Sequence, residues 1–151
     1  VNMDKVNLAV LEHTARYSPE WWATLERTTQ DNLRAALTAW QTGGLPTRRG
    51  LPSLIEAITP MFGPERAARI AITEVTNLFT AGNTIAHLDA GIETEEYQTV
   101  RDERVCPLCV PNDGKRFPTG TGPLPALHVR CRCARLPVAS GKPLYGIVGA
   151  E

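Results

Sequence analysis

The sequence predicts an α+β protein: an N-terminal helical bundle packed on a small zinc-stapled β-hairpin module. Three observations carry this. Up to Gly91 the apolar residues recur at helical spacing, in segments separated by Gly and Pro. After Gly91 the texture changes to short alternating runs and turn signals. All four cysteines lie in that second part, as two pairs. The expected boundaries are 1–91 for the helical part, 92–138 for the zinc-binding β module and 139–151 for a tail. At 151 residues this is one cooperative or nearly cooperative domain. The chain opens on Val1 rather than Met, so a fragment of a longer protein is expected.

Met3 to about Arg16 reads as the first helix, with Met3, Val6 and Val10 on one stripe and His13 continuing it as a packed or partly exposed residue. In "YSPEWW", Ser18 can cap a helix, Pro19 fits its first position, and Glu20 suits the positive end of the dipole. The stripe Trp22, Leu25, Thr29, Leu33, Ala36, Trp40 predicts one long amphipathic helix to about Gln41, stopped by Gly43 and Gly44. "LPTRRG" is a loop. "LPSLIEAITP" is a short helix with Pro52 near its start and Pro60 at its end.

Pro64-Glu65 opens the next helix, expected to reach about Asp89 before Gly91. Ala67, Ile70, Ala71, Leu78, Ala81, Ile85 and Leu88 share one face of it, and Ile72, Val75, Phe79 and Ala86 make a second strip. A helix apolar on two sides belongs at the centre of its bundle. Glu74 interrupts the first stripe. An unpaired buried carboxylate costs kilocalories. Glu74 therefore either reaches solvent at the stripe's edge or takes a partner from the basic C-terminal part: Arg132, Arg130 or backbone N–H groups near the last cysteine pair.

In the second part, Tyr97, Thr99 and Val100 favour a strand within "TEEYQTVRDERV". "PNDG" marks a turn, "TGTGPLP" a loop, and "RCRCARLPV" a second strand. The formal net charge is zero, which signals neither a general nucleic-acid binder nor a disordered tail. Charge is uneven, however. Between Arg101 and Lys142 stand eight Lys/Arg against three acids, a surplus of five beside the cysteines. That surplus suits phosphate, an acidic protein face, or simple solvation. No apolar run approaches the roughly 18 residues that would span a bilayer, and the first residues lack the pattern of a signal peptide.

Cys106 and Cys109 form C-x2-C around Pro107, the shape of a metal knuckle. Cys131 and Cys133 are two apart, and on a strand residues i and i+2 face the same side. His128 adds H-x2-C with Cys131, so five candidate ligands compete for four tetrahedral positions. The gap between the half-sites is close to that of a zinc ribbon. The rivals are weaker. A C-x-C disulfide is strained, and nothing marks the chain as secreted. Free buried thiols would not explain the pairing. Thiols can fill every position, so structural zinc is favoured over a catalytic site with an open position. A zinc deaminase needs H-x-E before P-C-x-x-C, which is missing here. A zinc nuclease needs a further His–carboxylate pair beside the metal.

"RAARIAITEVTNLFTAGN", "RDERVCPLCVPNDGKRF" and "LHVRCRCARLPV" together resemble the phage Mu F-like minor head proteins, also called phage head morphogenesis proteins. That family shows an Ile-Ala-Arg-Thr-Glu helix, a Cys-x2-Cys followed by Asp-Gly, and a His-Pro-x-Cys-x-Cys element. The resemblance covers Arg66 to about Val138. It departs at Ile72, where the family usually has Arg, and at Val129, where it often has Pro. The family's Glu carries over to Glu74 and its Asp-Gly to Asp113 and Gly114; by our own reading of the stripe and the basic module, Arg132 or Arg130 is the expected partner that couples Glu74 to the second part. The resemblance also implies zinc on Cys106, Cys109, Cys131 and Cys133, with His128 in reserve or behind the ligands. It further implies a minor head protein that contacts portal or major capsid protein in head assembly or DNA delivery. Its place would be the virion, in the head interior or neck, and the bacterial cytoplasm during assembly. DNA contact through the basic part and no membrane contact are expected. No catalytic residue is expected. The alternatives are a zinc-associated nuclease or toxin-system domain, and a cellular nucleic-acid-binding zinc module.

Overall fold

The computed structural model describes residues 2–43, 50–100, 107–128, 130–139 and 142–143. Several expectations lie outside the described residues: Gly44 and loop residues 45–49, Arg101, Asp102, Glu103, Arg104, Cys106, Val129 and most of the tail, with the side chains of Met3 and Lys142.

Among the described residues, four α-helices precede a small antiparallel sheet, an α+β arrangement. Helix α1 spans Met3–Arg16 and is capped by Asn2, whose side chain accepts from Lys5 N at 3.1 Å. Its start is tied to the end of the last helix: Asn2 N and Lys5 Nζ reach Asp89 at 2.9 and 3.0 Å. Val6 is buried, and His13 packs on the Tyr17 ring at 5.7 Å.

The expected single helix from Pro19 to Gln41 is two elements. A 3₁₀ turn covers Glu20–Thr24, and α2 covers Arg27–Thr42. The chain is extended at Leu25 and Glu26 between them. The amide of Gln30 donates to the carbonyls of Trp22 and Leu25, at 2.9 and 3.0 Å, satisfying groups a continuous helix would have bonded internally. The break lets Trp22 sink fully into the core.

Helix α3, Leu51–Phe62, carries Pro60 inside its last turn rather than at its end. Near a C-terminus the proline forfeits one backbone bond and the turn persists. Gly63, at φ 77° and ψ 159°, ends α3 and starts α4, in a region only glycine adopts without strain. Helix α4, Pro64–Asp89, is the central one: α1 and α3 pack on it, and so does the sheet. Its buried residues join Trp22, Leu33, Leu37, Trp40, Leu54 and Ile58 in one apolar core. Leu88 does not join its stripe and is 60% exposed; His87 turns inward in the last turn instead.

Strands β1 (Thr94–Gln98), β2 (Arg116–Pro118), β3 (Ala134–Ala139) and the two-residue β4 (Lys142–Pro143) run in the order β2-β1-β3-β4. In the register Glu95 lies opposite Phe117 and Pro137, and Tyr97 opposite Arg135. The predicted strand "RCRCARLPV" begins later than expected: Cys131 and Cys133 precede β3. Tyr97, Cys109, Cys131 and Cys133 form a second, separate core with Phe117, Ala126 and Leu127 around it.

Candidate metal centre

The centre is built where the turn after residue 106 meets the segment before β3. Asp113 accepts from Thr99 N at 3.0 Å, and Gly114 N donates to Tyr97 O at 2.8 Å. Gly114 holds φ 79°, which the reversal there requires. These bonds fasten the turn to β1 and point Cys109 inward, fully buried. From the other side, α4 holds the cysteine segment by a short ladder. The Thr76 hydroxyl donates to Cys131 O, Thr73 Oγ1 accepts from Arg130 N at 2.9 Å, and Asn77 Oδ1 accepts from Ala126 N at 2.9 Å.

The result is a cluster. One donor atom each from Cys109, His128 and Cys131 lies within 4.8 Å of the others, and this group could hold a metal ion. The two sulfurs are 3.9 Å apart, and His128 Nε2 is 3.1 Å from Cys109 Sγ. Sulfurs each about 2.3 Å from a tetrahedral zinc stand about 3.8 Å apart, so this spacing fits. The thiols' acidities fit as well. The Cys133 thiol bonded to Cys131, with the N–H groups of Cys133 and Leu127 and nearby His128, brings Cys131 down to about 5. Cys133 is pushed up by that same bond and by burial, and Cys109 is pushed up chiefly by burial. One anion thus suppresses its neighbours. A bound cation reverses this, because thiolates are the ligating form. The Tyr97 hydroxyl, 3.5 Å from Cys109 Sγ, donates to the sulfur from β1.

Cys106 lies outside the described residues. Cys133 is 5% exposed and bonded to Cys131, but outside the three-atom group. His128, placed in reserve by the sequence reading, is inside it. Strand geometry is not what brings the thiols together, since Cys131 and Cys133 precede β3. The bond from Cys131 N to His128 O at 3.2 Å sets His128 beside Cys131.

Glu74 also differs from expectation. It is fully buried, and the bonds it accepts come from the helical part rather than from Arg132 or Arg130. Trp21 Nε1 donates to Oε1 at 2.9 Å, and Tyr17, Trp22 and Asn77 surround the carboxylate. The ladder to the cysteine segment uses Thr73, Thr76 and Asn77, its neighbours along α4. Burial pushes the Glu74 carboxyl above its ordinary range, against the pull of those donors. A raised folded-state pKa means that stability falls as pH rises from the ordinary carboxyl value through the folded one. Glu74→Gln keeps the acceptor for Trp21 and removes the titration. We expect the variant to be as stable as wild type or more so at pH 7.5, and its stability to be flatter between about pH 4.5 and 7. Urea melts across that range check this; a variant weaker than wild type at every pH would contradict it.

The buried ion pair that the sequence reading sought at Glu74 occurs elsewhere. Glu95, fully buried on β1, meets His87 Nδ1 at 2.6 Å through Oε2. Its Oε1 accepts from Gly120 N at 2.8 Å and faces Arg135 at 3.3 Å. Arg135, 1% exposed, donates to the carbonyls of Thr121 and Pro123, both at 2.7 Å, and lies over the Phe117 ring. This junction welds the end of α4 to the sheet and to the loop after β2. Nothing in the spacing of His87, Glu95 and Arg135 announces it; a carboxylate at an inward strand position, with an arginine opposite the next inward residue, was the available signal.

The chain matches the family model described as phage Mu protein F like protein over residues 31–136. It belongs to the phage Mu F-like family. That membership implies a phage head morphogenesis protein, with capsid-related partners, and the match takes in α4, β1, β2, the start of β3 and the metal centre. No curated protein and no solved structure matches the chain. Among the described residues, no helix of this Mu F-like protein is long and apolar enough to cross a membrane.

Proposed function

We propose that this Mu F-like chain is a minor head protein that contacts portal or major capsid protein during head assembly or DNA delivery, and that zinc holds its C-terminal module together. The observation that carries the zinc reading is the convergence of Cys109, His128 and Cys131 in a protein of this family. Cys109 and Cys131 supply two thiolates, and Cys106 a third by its C-x2-C spacing. The fourth position falls to His128, whose ring nitrogen lies beside the sulfurs, with Cys133 as a bonded neighbour. The metal's work is structural, in place of apolar core that so small a module lacks. The boundaries 1–91, 92–138 and 139–151 are proposed as the units of this arrangement. The nuclease alternative asks for a His–carboxylate pair, and His87–Glu95 is one. That pair is sealed, with both Glu95 oxygens bonded.

Elemental analysis of protein purified without chelator should find one zinc per chain, and metal-free protein would end the zinc reading. His128→Ala should lose zinc more readily than Cys133→Ser; the reverse order assigns the fourth position to Cys133. The head-protein reading is tested by mixing the chain with portal and major capsid protein from the same genome. Sedimentation with one of them supports it, and sedimentation with neither removes it.

A further inference from the structure

We infer that Tyr97 is a positioning residue for the metal: its hydroxyl donates to the Cys109 thiolate from β1, and that bond sets how tightly the centre holds zinc. This rests on the zinc reading. Tyr97 lies two residues after Glu95 on β1, and alternate residues of a strand face one side. Both are fully buried. Glu95 enters the junction with His87 and Arg135, while Tyr97 enters the cysteine core. Its hydroxyl stands 3.5 Å from Cys109 Sγ, and among the described residues it has no other hydrogen-bond partner. The ring alone would serve an apolar core, and a buried hydroxyl without a partner is costly. A tyrosine here is therefore accounted for by the sulfur it meets.

The backbone holds this contact in place. Tyr97 N donates to Lys115 O, and Gly114 N donates to Tyr97 O, both at 2.8 Å. Gly114 and Lys115 follow the turn that carries Cys109. Asn112 N donates to Cys109 O and Lys115 N to Asn112 O, both at 2.9 Å. Donor and acceptor thus stand on two segments bonded to each other, with little ordering left to lose when the metal binds. A thiol sulfur is a weak acceptor, and an ionised acceptor takes a stronger bond. The phenol consequently favours the ligating form of Cys109 over its thiol. It also brings in a third segment. Cys109 stands on the turn, His128 and Cys131 stand before β3, and Tyr97 adds β1 to what the metal ties together.

The whole chain is titrated with zinc against a chromophoric chelator, and separately with cobalt(II). The sulfur-to-cobalt charge-transfer bands report electron density on the thiolates. Tyr97→Phe keeps the ring and removes the donor. It should weaken zinc binding about 10- to 100-fold, the usual cost of losing a group bonded to a metal ligand. It should also move the charge-transfer bands to lower energy, because a sulfur without its hydrogen bond gives up an electron more easily. If Tyr97→Phe holds zinc as tightly as wild type, the inference is wrong and the zinc reading stands. If affinity falls but the bands stay in place, Tyr97 acts through packing, and the inference is again overturned. If wild type takes up no metal, the zinc reading fails and takes the inference with it.

Discussion

Cys109→Ser, or chelation of the wild-type protein, is expected to release the metal and unfold the β module while most helical signal survives. The reason is the division of the apolar interior. The helices have their own core around Trp22, Leu37, Ile58 and Val75, whereas the module has Tyr97 and three cysteines. A structural zinc contributes on the order of 10 kcal/mol to folding what it binds, more than that small second core can replace. Hydrogen exchange should therefore lose protection across 94–100, 107–128 and 130–139 and keep it in α2, α3 and the first half of α4. The second half of α4 should loosen with the module, because Asn77 and His87 are bonded to it. Helical circular dichroism collapsing in step with metal release would show one cooperative unit and overturn this expectation.

Glu95→Ala is expected to cost about 3–5 kcal/mol, the range for removing one partner of a buried charge pair. It would strand Arg135 and His87, both buried, without their shared anion. Glu95→Gln should cost less, since its amide oxygen can still accept from Gly120. The pH dependence follows with a definite sign. Burial opposes ionisation of Glu95, but His87, the Gly120 N–H and Arg135 outweigh it and hold the carboxyl below its ordinary range. A depressed folded-state pKa gives stability that is present above the unfolded value, about 4.3, and lost as pH falls through the folded value. Wild type should thus lose this contribution in acid, and Glu95→Gln should not. Denaturant melts between pH 3 and 7 measure both; equal acid sensitivity in the two proteins would place the titration elsewhere. Glu74, shifted the other way, opposes this trend, so the double variant should show the flattest profile.

Much of the architecture was legible. The helix limits at Arg16 and Asp89 follow from local signals that need no tertiary partner: apolar period, Gly91 after the end, Pro64 at the start. The break after Thr24 was not legible, because the periodic stripe runs straight through it. What breaks the helix is a side chain, Gln30, that competes for two carbonyls once Trp22 is buried. Leu88 failed for a related reason. Periodicity says which face a residue is on, not where the neighbouring elements stop covering that face.

At the metal centre, ligand types and spacing are properties of the chain, and they alone pointed to Cys109, Cys131 and His128 as candidates. The family pattern is likewise written in the order of residues. Which nitrogen or sulfur stands nearest the centre depends on distances between segments far apart in sequence, and these were set by Tyr97, Thr76 and Asn77. The same holds for the buried carboxylates. Glu74 and Glu95 each announce only that a partner is needed, since burial without one is costly. Their partners, Trp21 for the one and His87 with Arg135 for the other, were chosen by how α4 lies against the 3₁₀ turn and the sheet. Sequence determined most of the elements, the candidate donors and the family, because these rest on local periodicity and chemical type. Tertiary structure alone decided the pairings, because a hydrogen bond depends on positions in space that spacing along the chain does not encode.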